Sequence, residues 1–155
     1  MSSVDLHVHS NASDGTLSPT QVVNLAKEKG LSAIALTDHD TVKGIPEAVH
    51  AANQAGIELV PGIELSCMYE GCEIHILGLY INPNEADFAQ AIEELAAVRA
   101  RRNEEMLRRF NEGGFGITRE ELTAGNPDTV ITRAHFARVL VEKGYASSMN
   151  QAFQK

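Results

Sequence analysis

The sequence predicts an α/β protein, on three observations. Four short runs, residues 4–9, 31–37, 57–65 and 73–81, are apolar or alternate apolar with polar, as strands do. Amphipathic stretches closed by Gly30 and Gly56 separate the first three runs, and such alternation favours a parallel sheet or barrel. The chain has 155 residues, 43% hydrophobic and 22% charged, which is enough for about one domain with its own core.

Each element has its own local signal. Val4-Asp5-Leu6-His7-Val8-His9 alternates over six positions and reads as the first strand. Ser18-Pro19 opens a helix carrying Val22, Val23, Leu25 and Ala26, which stops at Gly30. The run at 31–37 (LSAIALT) reads as the second strand and ends in Asp38-His39-Asp40; a helix over 45–55 follows, closed by Gly56. Residues 57–65 (IELVPGIEL) predict a third strand interrupted at Pro61-Gly62, and 73–81 (EIHILGLYI) a fourth, paired with the third through the turn at Gly71. After Asn82-Pro83-Asn84 the pattern becomes helical over 85–112. The stripe there is Phe88, Ile92, Leu95, Met106, Leu107 and Phe110, with a break predicted near 99–103. Gly113-Gly114-Phe115-Gly116 follows a helix and not a strand, so it is a helix stop and not a phosphate loop. Thr118-Arg119-Glu120-Glu121 reads as a capping box, 131–143 as an amphipathic helix, and a short helix starts at Ser147. Residues 1–83 therefore read as an α/β body and 84–155 as a helical subdomain.

Thirteen Lys and Arg against twenty-one Asp and Glu give a net charge of −8, which argues against a surface built to hold duplex DNA; any phosphate must be held locally. Cys67 and Cys72 are too few for a disulfide framework and are expected to be free thiols. No apolar run is long enough for a membrane span, so the expectation is a soluble, cytoplasmic chain; its oligomeric state has no signal in the sequence.

The chemistry lies in the first 75 residues. His7 and His9, two apart on a strand, leave the same face, as two imidazoles must to reach one metal ion. Asp14 follows in a turn, His39 and Glu64 come at the ends of the second and third strands, and His75 comes early in the fourth. A histidine at one strand end is usually structural; the joint pattern of six donors points to metal. A mixed imidazole and carboxylate set suits Mn, Fe or Zn better than Ca, and a carboxylate such as Glu64 can bridge two ions. Asp38 and Asp40 are expected to support the ligands by hydrogen bonds or to cap a helix. His50, inside an Ala-rich helix, is expected to be exposed and without a role.

The segments Asp5-Leu6-His7-Val8-His9-Ser10, Ser13-Asp14-Gly15, Leu36-Thr37-Asp38-His39-Asp40, Pro61-Gly62-Ile63-Glu64 and His75-Ile76-Leu77-Gly78 resemble, in order, the metal motifs of the polymerase and histidinol phosphatase (PHP) superfamily. The resemblance covers almost the whole chain. The helical part, with Ile131-Thr132-Arg133-Ala134-His135-Phe136-Ala137-Arg138, is similar to the branch that contains 3′,5′-nucleotide bisphosphate phosphatases and the exoribonuclease called ribonuclease AM. It implies a distorted seven-stranded β/α barrel, of which this chain supplies the first three or four strands plus a helical insert. It also implies a phosphoesterase with up to three divalent ions, Mn foremost and Zn, Fe or Mg as alternatives. His7, His9 and Glu64 correspond to the ligands of one ion, Glu64 and His75 to those of a second, and Asp14 with His39 to those of a third, which makes Glu64, His39 and Asp14 the catalytic set. The family completes its site with a later His and an Asp-x-His pair, which have no counterpart before Lys155, so the C-terminal half of the barrel is expected elsewhere. The implied reaction is in-line attack of metal-activated water on a nucleotide phosphate, such as a 3′,5′-bisphosphate nucleotide or an RNA 5′ end. Arg133 and His135, two apart at a helix start, are candidates for gripping the phosphate. Among Arg99, Arg101, Arg102, Arg108 and Arg109, Arg102 is the candidate for RNA contact, because Glu104 and Glu105 stand four residues before Arg108 and Arg109 and favour intrahelical pairs. The alternative reading is a non-catalytic metal-binding or interaction module that needs a partner.

Overall fold

The computed structural model describes residues 3–154. Four strands, β1 (Ser3–Val8), β2 (Leu31–Leu36), β3 (Glu58–Tyr69) and β4 (Cys72–Leu79), form a half-barrel sheet in sequence order. β1, β2 and β3 run parallel, joined by α1 (Pro19–Glu28) and α2 (Ile45–Ala55), whereas β4 returns antiparallel to β3. Local chemistry sets the helix limits. Ser18 caps α1 with a capping box and Pro19 follows it; Gly56, at φ 67°, ends α2 in a left-handed conformation that costs glycine little. The first core packs Val22, Val23 and Ala26 of α1 and Ala48, Ala51 and Ala52 of α2 against Ile34 and Leu36 of β2.

The third strand differs from its predicted form. It runs through Pro61-Gly62 without interruption and continues to Tyr69, because its two halves have different partners: Glu58 to Pro61 pair with β2, and Gly62 to Tyr69 pair with β4. Pro61, which has no N–H to donate, sits at the change of partner, and its carbonyl accepts from Ile81 N–H at 3.1 Å. Gly62 must be small, since a Cβ there would lie 2.8 Å from Thr37 Cγ2 and 3.0 Å from the Gly78 carbonyl oxygen.

The predicted break near 99–103 is also absent. α3 (Ala86–Glu112) is one 27-residue helix, and the polar residues that interrupt its stripe, Arg99 and Asn103, are buried. They are satisfied by distant groups: Arg99 by Asp40, Ser66 Oγ and the Ile131 carbonyl, Asn103 by the Ile131 carbonyl at 2.9 Å. The C-terminal half of α3 joins α4 (Arg119–Thr123), α5 (Arg133–Glu142) and α6 (Met149–Ala152) around a second core of Ile117, Leu122, Ile131, Phe136, Val139 and Leu140. α5 starts two residues later than predicted because Thr132, extended at φ −109° and ψ 174°, is its cap. The segment before α5 is tied to the loop after β1. Val130 N–H donates to the Ala12 carbonyl at 2.8 Å and Thr129 Oγ1 to the Ser13 carbonyl at 2.7 Å.

Candidate metal centre

All four strands deliver donors to one end of the sheet. His7 lies on β1 and His9 just beyond it on the same side; His39 follows β2 and makes an isolated bridge to Glu64 on β3; His75 lies on β4, where its residue pairs with Ser66. Glu64 is at the centre. Its Oε2 is 3.0 Å from His7 Nε2, 2.9 Å from His9 Nε2 and 3.5 Å from His39 Nε2, and its Oε1 is 2.8 Å from His75 Nδ1. Asp14 closes the other side, 3.1 Å from His9 Nδ1 and 3.5 Å from His39 Nε2. Three groups, His7/His9/Glu64, His9/Asp14/His39 and His39/Glu64/His75, each have ligand atoms within 4.8 Å of one another.

Buried hydrogen bonds hold this geometry. Asp38 accepts from Ser10 N–H at 2.7 Å, Ser10 Oγ–H at 2.6 Å and Ser13 Oγ–H at 2.6 Å, which shapes the loop leading to Asp14. Gly15 completes that loop, since a Cβ there would lie 2.5 Å from the His9 carbonyl oxygen. Asp40 N–H donates to the Glu64 carbonyl at 3.0 Å, and Asp40 Oδ1 accepts from Ser66 N–H at 2.8 Å. Neither aspartate caps α2, whose N-cap is Gly44; both support the backbone that carries the donors.

Burial acts to raise the Asp14 carboxyl, but the hydrogen bond with His9 and the charges of His39 and His9 outweigh it and hold it at about 2. Burial likewise opposes ionisation of Glu64, and its histidine neighbours, His7 foremost, still keep it below the usual range. Burial acts to lower the pKa of His9, yet Asp14 and Glu64 leave it raised; for His39 burial wins and its pKa is lowered, which favours the neutral imidazole. His39 Nδ1 is also buried without a hydrogen-bond partner. Four imidazoles and two carboxylates converging at hydrogen-bond distance fit a transition-metal site better than a Ca site, since Ca takes oxygen ligands.

A pocket of about 340 Å³ opens beside this cluster, lined by Asp14, His39, Ser66, Glu73, His75, Arg99, Arg102, Thr132, Arg133, Ala134 and Phe153. Arg102 and Arg133 thus line the same pocket as three of the donors, and Arg102 Nε is buried without a hydrogen-bond partner. His135 does not line this pocket. It is buried, its Nδ1 accepts from Thr132 N–H at 3.0 Å, and desolvation lowers its pKa; the Thr132 hydroxyl in turn lies 3.3 Å from Asp14 Oδ2. Sequence reasoning missed Glu73. Its Oε1 lies 3.2 Å from His75 Nε2, and its Oε2 lies 2.5 Å from Arg133 Nη2 and 3.7 Å from Arg102 Nη1. Burial would raise Glu73, but hydrogen bonds from Arg133 and His75 hold it at about 2. The signal for it was present, because residues 73 and 75 share a face of β4 by alternation.

Three other arginines of α3, Arg99, Arg108 and Arg109, pair with carboxylates. Arg99 is buried against Asp40, and Arg109 pairs with Glu105, its partner four residues earlier. Arg108 pairs with Glu105 and Glu112, while Glu104 pairs with Arg119 and not with the predicted Arg108. His50 is exposed, and its ring hydrogen-bonds Gln54 one turn along α2. Cys67 and Cys72 are free; they face Ile74 and Tyr69 across the hairpin. Among the described residues no helix is long and apolar enough to cross a membrane.

Known proteins are similar to this chain. A 5′-3′ exoribonuclease of Haemophilus influenzae is 41% identical over 151 residues, 97% of this chain and 55% of its own length. A 3′,5′-nucleoside bisphosphate phosphatase of Chromobacterium violaceum is 36% identical over 157 residues, 100% of this chain and 55% of its own. A solved structure from Bifidobacterium adolescentis, described as a metal-dependent phosphoesterase, superposes with a TM-score of 0.90 at 31% identity, covering 99% of this chain and 55% of that one. The chain spans about half the length of these relatives. The PHP domain family matches residues 5–153, a span that contains all six donors, and the chain belongs to that family.

Proposed function

We propose that this chain carries the metal-binding part of a phosphoesterase acting on nucleotide phosphates, 3′,5′-bisphosphate nucleotides or RNA 5′ ends. The observation that carries the reading is the Glu64 carboxylate, both of whose oxygens face imidazoles, His7, His9 and His39 on one side and His75 on the other. The names of the relatives, an exoribonuclease and a nucleoside bisphosphate phosphatase, support the substrate class. In this proposal His7, His9 and Glu64 hold one ion, Glu64 and His75 share a second with His39 in reach, and Asp14 and His39 hold a third. Divalent ions at these positions, Mn foremost and Zn, Fe or Mg as alternatives, acidify water and neutralise phosphoryl oxygens.

The chain's own groups do the remaining work. Glu64 and Asp14 stay ionised at neutral pH, and buried His39 keeps a lone pair available. Arg102 and Arg133, which the proposed helical subdomain at 84–155 contributes, exchange Glu73 for phosphoryl oxygens as substrate enters, since guanidinium N–H groups chelate phosphate as readily as carboxylate. His135 acts at one remove: it steadies Thr132, whose hydroxyl bonds Asp14. The acidic charge disfavours duplex DNA, and the free thiols suit a cytoplasmic setting.

Elemental analysis after dialysis against Mn, with phosphate release from adenosine 3′,5′-bisphosphate as the second readout, tests this. His7→Ala and Glu64→Ala should each weaken metal retention by more than about 100-fold, while His50→Ala retains the wild-type content. Wild-type metal content in Glu64→Ala would refute the site.

A further inference from the structure

Glu73 touches the donor cluster without belonging to any of its three groups. It stands two residues before His75 on the same face of β4, and its Oε1 lies 3.2 Å from His75 Nε2. The other nitrogen of that ring, Nδ1, lies 2.8 Å from Glu64 Oε1. His75 therefore has a carboxylate at each nitrogen, one inside the donor set and one outside it. Burial does not fix this ring, since its side chain is 40% exposed against 19% for His9 and 11% for His39. A half-turn about its χ2 bond would put carbon atoms where both nitrogens stand, so the two carboxylates together select the orientation. Glu73 is itself held, because its Oε2 accepts from Arg133 Nη2 at 2.5 Å at the start of α5.

We propose that Glu73 is a positioning residue for the metal centre: it accepts the Nε2–H of His75 and so leaves the Nδ1 lone pair facing Glu64, ready for a divalent ion. The inference rests on the metal-centre reading and deepens it, since it adds a carboxylate that holds no ion itself. An imidazole ligates through a nitrogen that bears no proton, so the ring's single proton must sit on the opposite nitrogen, the one Glu73 faces. A hydrogen bond from that far nitrogen to a carboxylate also makes the ring a stronger donor. Because Arg133 pairs with the same carboxylate, α5 is linked to a donor on β4 through this one residue.

Zinc, which is diamagnetic, is the probe. Calorimetric titration of the 155-residue chain gives zinc affinity, and nitrogen-15 NMR of the loaded chain shows which nitrogen of His75 carries the proton. In the wild type it should be Nε2. Glu73→Met, which keeps the side-chain length and removes the acceptor, should weaken zinc binding by about 10–100-fold and lose the proton from Nε2. Glu73→Gln, whose amide oxygen still accepts, should keep the proton on Nε2 and recover most of the affinity. His75→Ala deletes the donor and sets the limit of the loss. Wild-type affinity and an unchanged His75 ring in Glu73→Met overturn the positioning role and leave the metal centre standing, with Glu73 only a partner of Arg133. Equal losses in Glu73→Met and Glu73→Gln, with the proton on Nε2 in both, trace the effect to charge and not to orientation and overturn it too. A wild-type chain that binds no zinc overturns this inference together with the metal centre.

Discussion

The Arg99–Asp40 pair joins the long helix to the loop that carries His39, and its removal should be the most costly single change outside the apolar cores. The Asp40 side chain is 0% exposed and that of Arg99 8%. Asp40 Oδ2 faces the guanidinium, Oδ1 accepts from Ser66 N–H, and the same guanidinium donates to Ser66 Oγ at 2.6 Å. Arg99→Met keeps most of the side-chain length and deletes the charge, which leaves a buried carboxylate with one remaining backbone donor. Breaking one partner of a buried pair costs about 3–5 kcal/mol, a large share of the roughly 5–15 kcal/mol that stabilises a typical domain. At about 2–4 °C per kcal/mol for a chain of this size, the melting temperature should fall by about 6–20 °C. Scanning calorimetry on the metal-free chain measures it. The double variant Arg99→Met/Asp40→Asn should recover more than half of the loss, since no unpaired charge is then buried. A loss below about 1 kcal/mol in Arg99→Met would match an exposed pair and refute the argument.

Two further predictions concern the sheet and the pocket. Gly62→Ala should cost about 1–3 kcal/mol, because the added Cβ meets Thr37 and the Gly78 carbonyl where β3 changes partner; a neutral result by urea denaturation would show that this junction yields. Glu73 is held at about 2 against an ordinary 4.5, so its contribution to stability is present above about pH 4.5 and is lost as pH falls from there toward 2. Glu73→Gln should flatten that part of the stability profile of the metal-free chain. An unchanged acid limb in the variant would mean that the Arg133 contact contributes nothing.

Much of this molecule was legible locally. Ser18 with Pro19 and Gly56 set helix ends within one turn, so short-range signals suffice for them. The alternation of His7 and His9 put two candidate donors on one face, and strand ends with the order of motifs pointed to four more, which the fold brings within reach of one another. What failed was every feature whose cause lies far along the chain. Arg99 looked like a helix break because its partner, Asp40, is 59 residues away, and Pro61-Gly62 looked like a strand break because the second ladder begins there. Glu73 carried the same alternation signal as His75 but no motif, so its contacts with Arg133 and Arg102 emerged only once α3 and α5 stood over β4. His135 and Arg133 are two positions apart at one helix start, yet one is buried in the cap and the other faces the pocket.

By itself the sequence determined which residues could be donors, which family they belong to and where most elements begin and end, because periodicity, capping and motif order are encoded within a few residues of one another. Only the tertiary structure decided which charges are neutralised and which arginines line the pocket beside the donors, because burial and pairing depend on which distant segments the packing brings together.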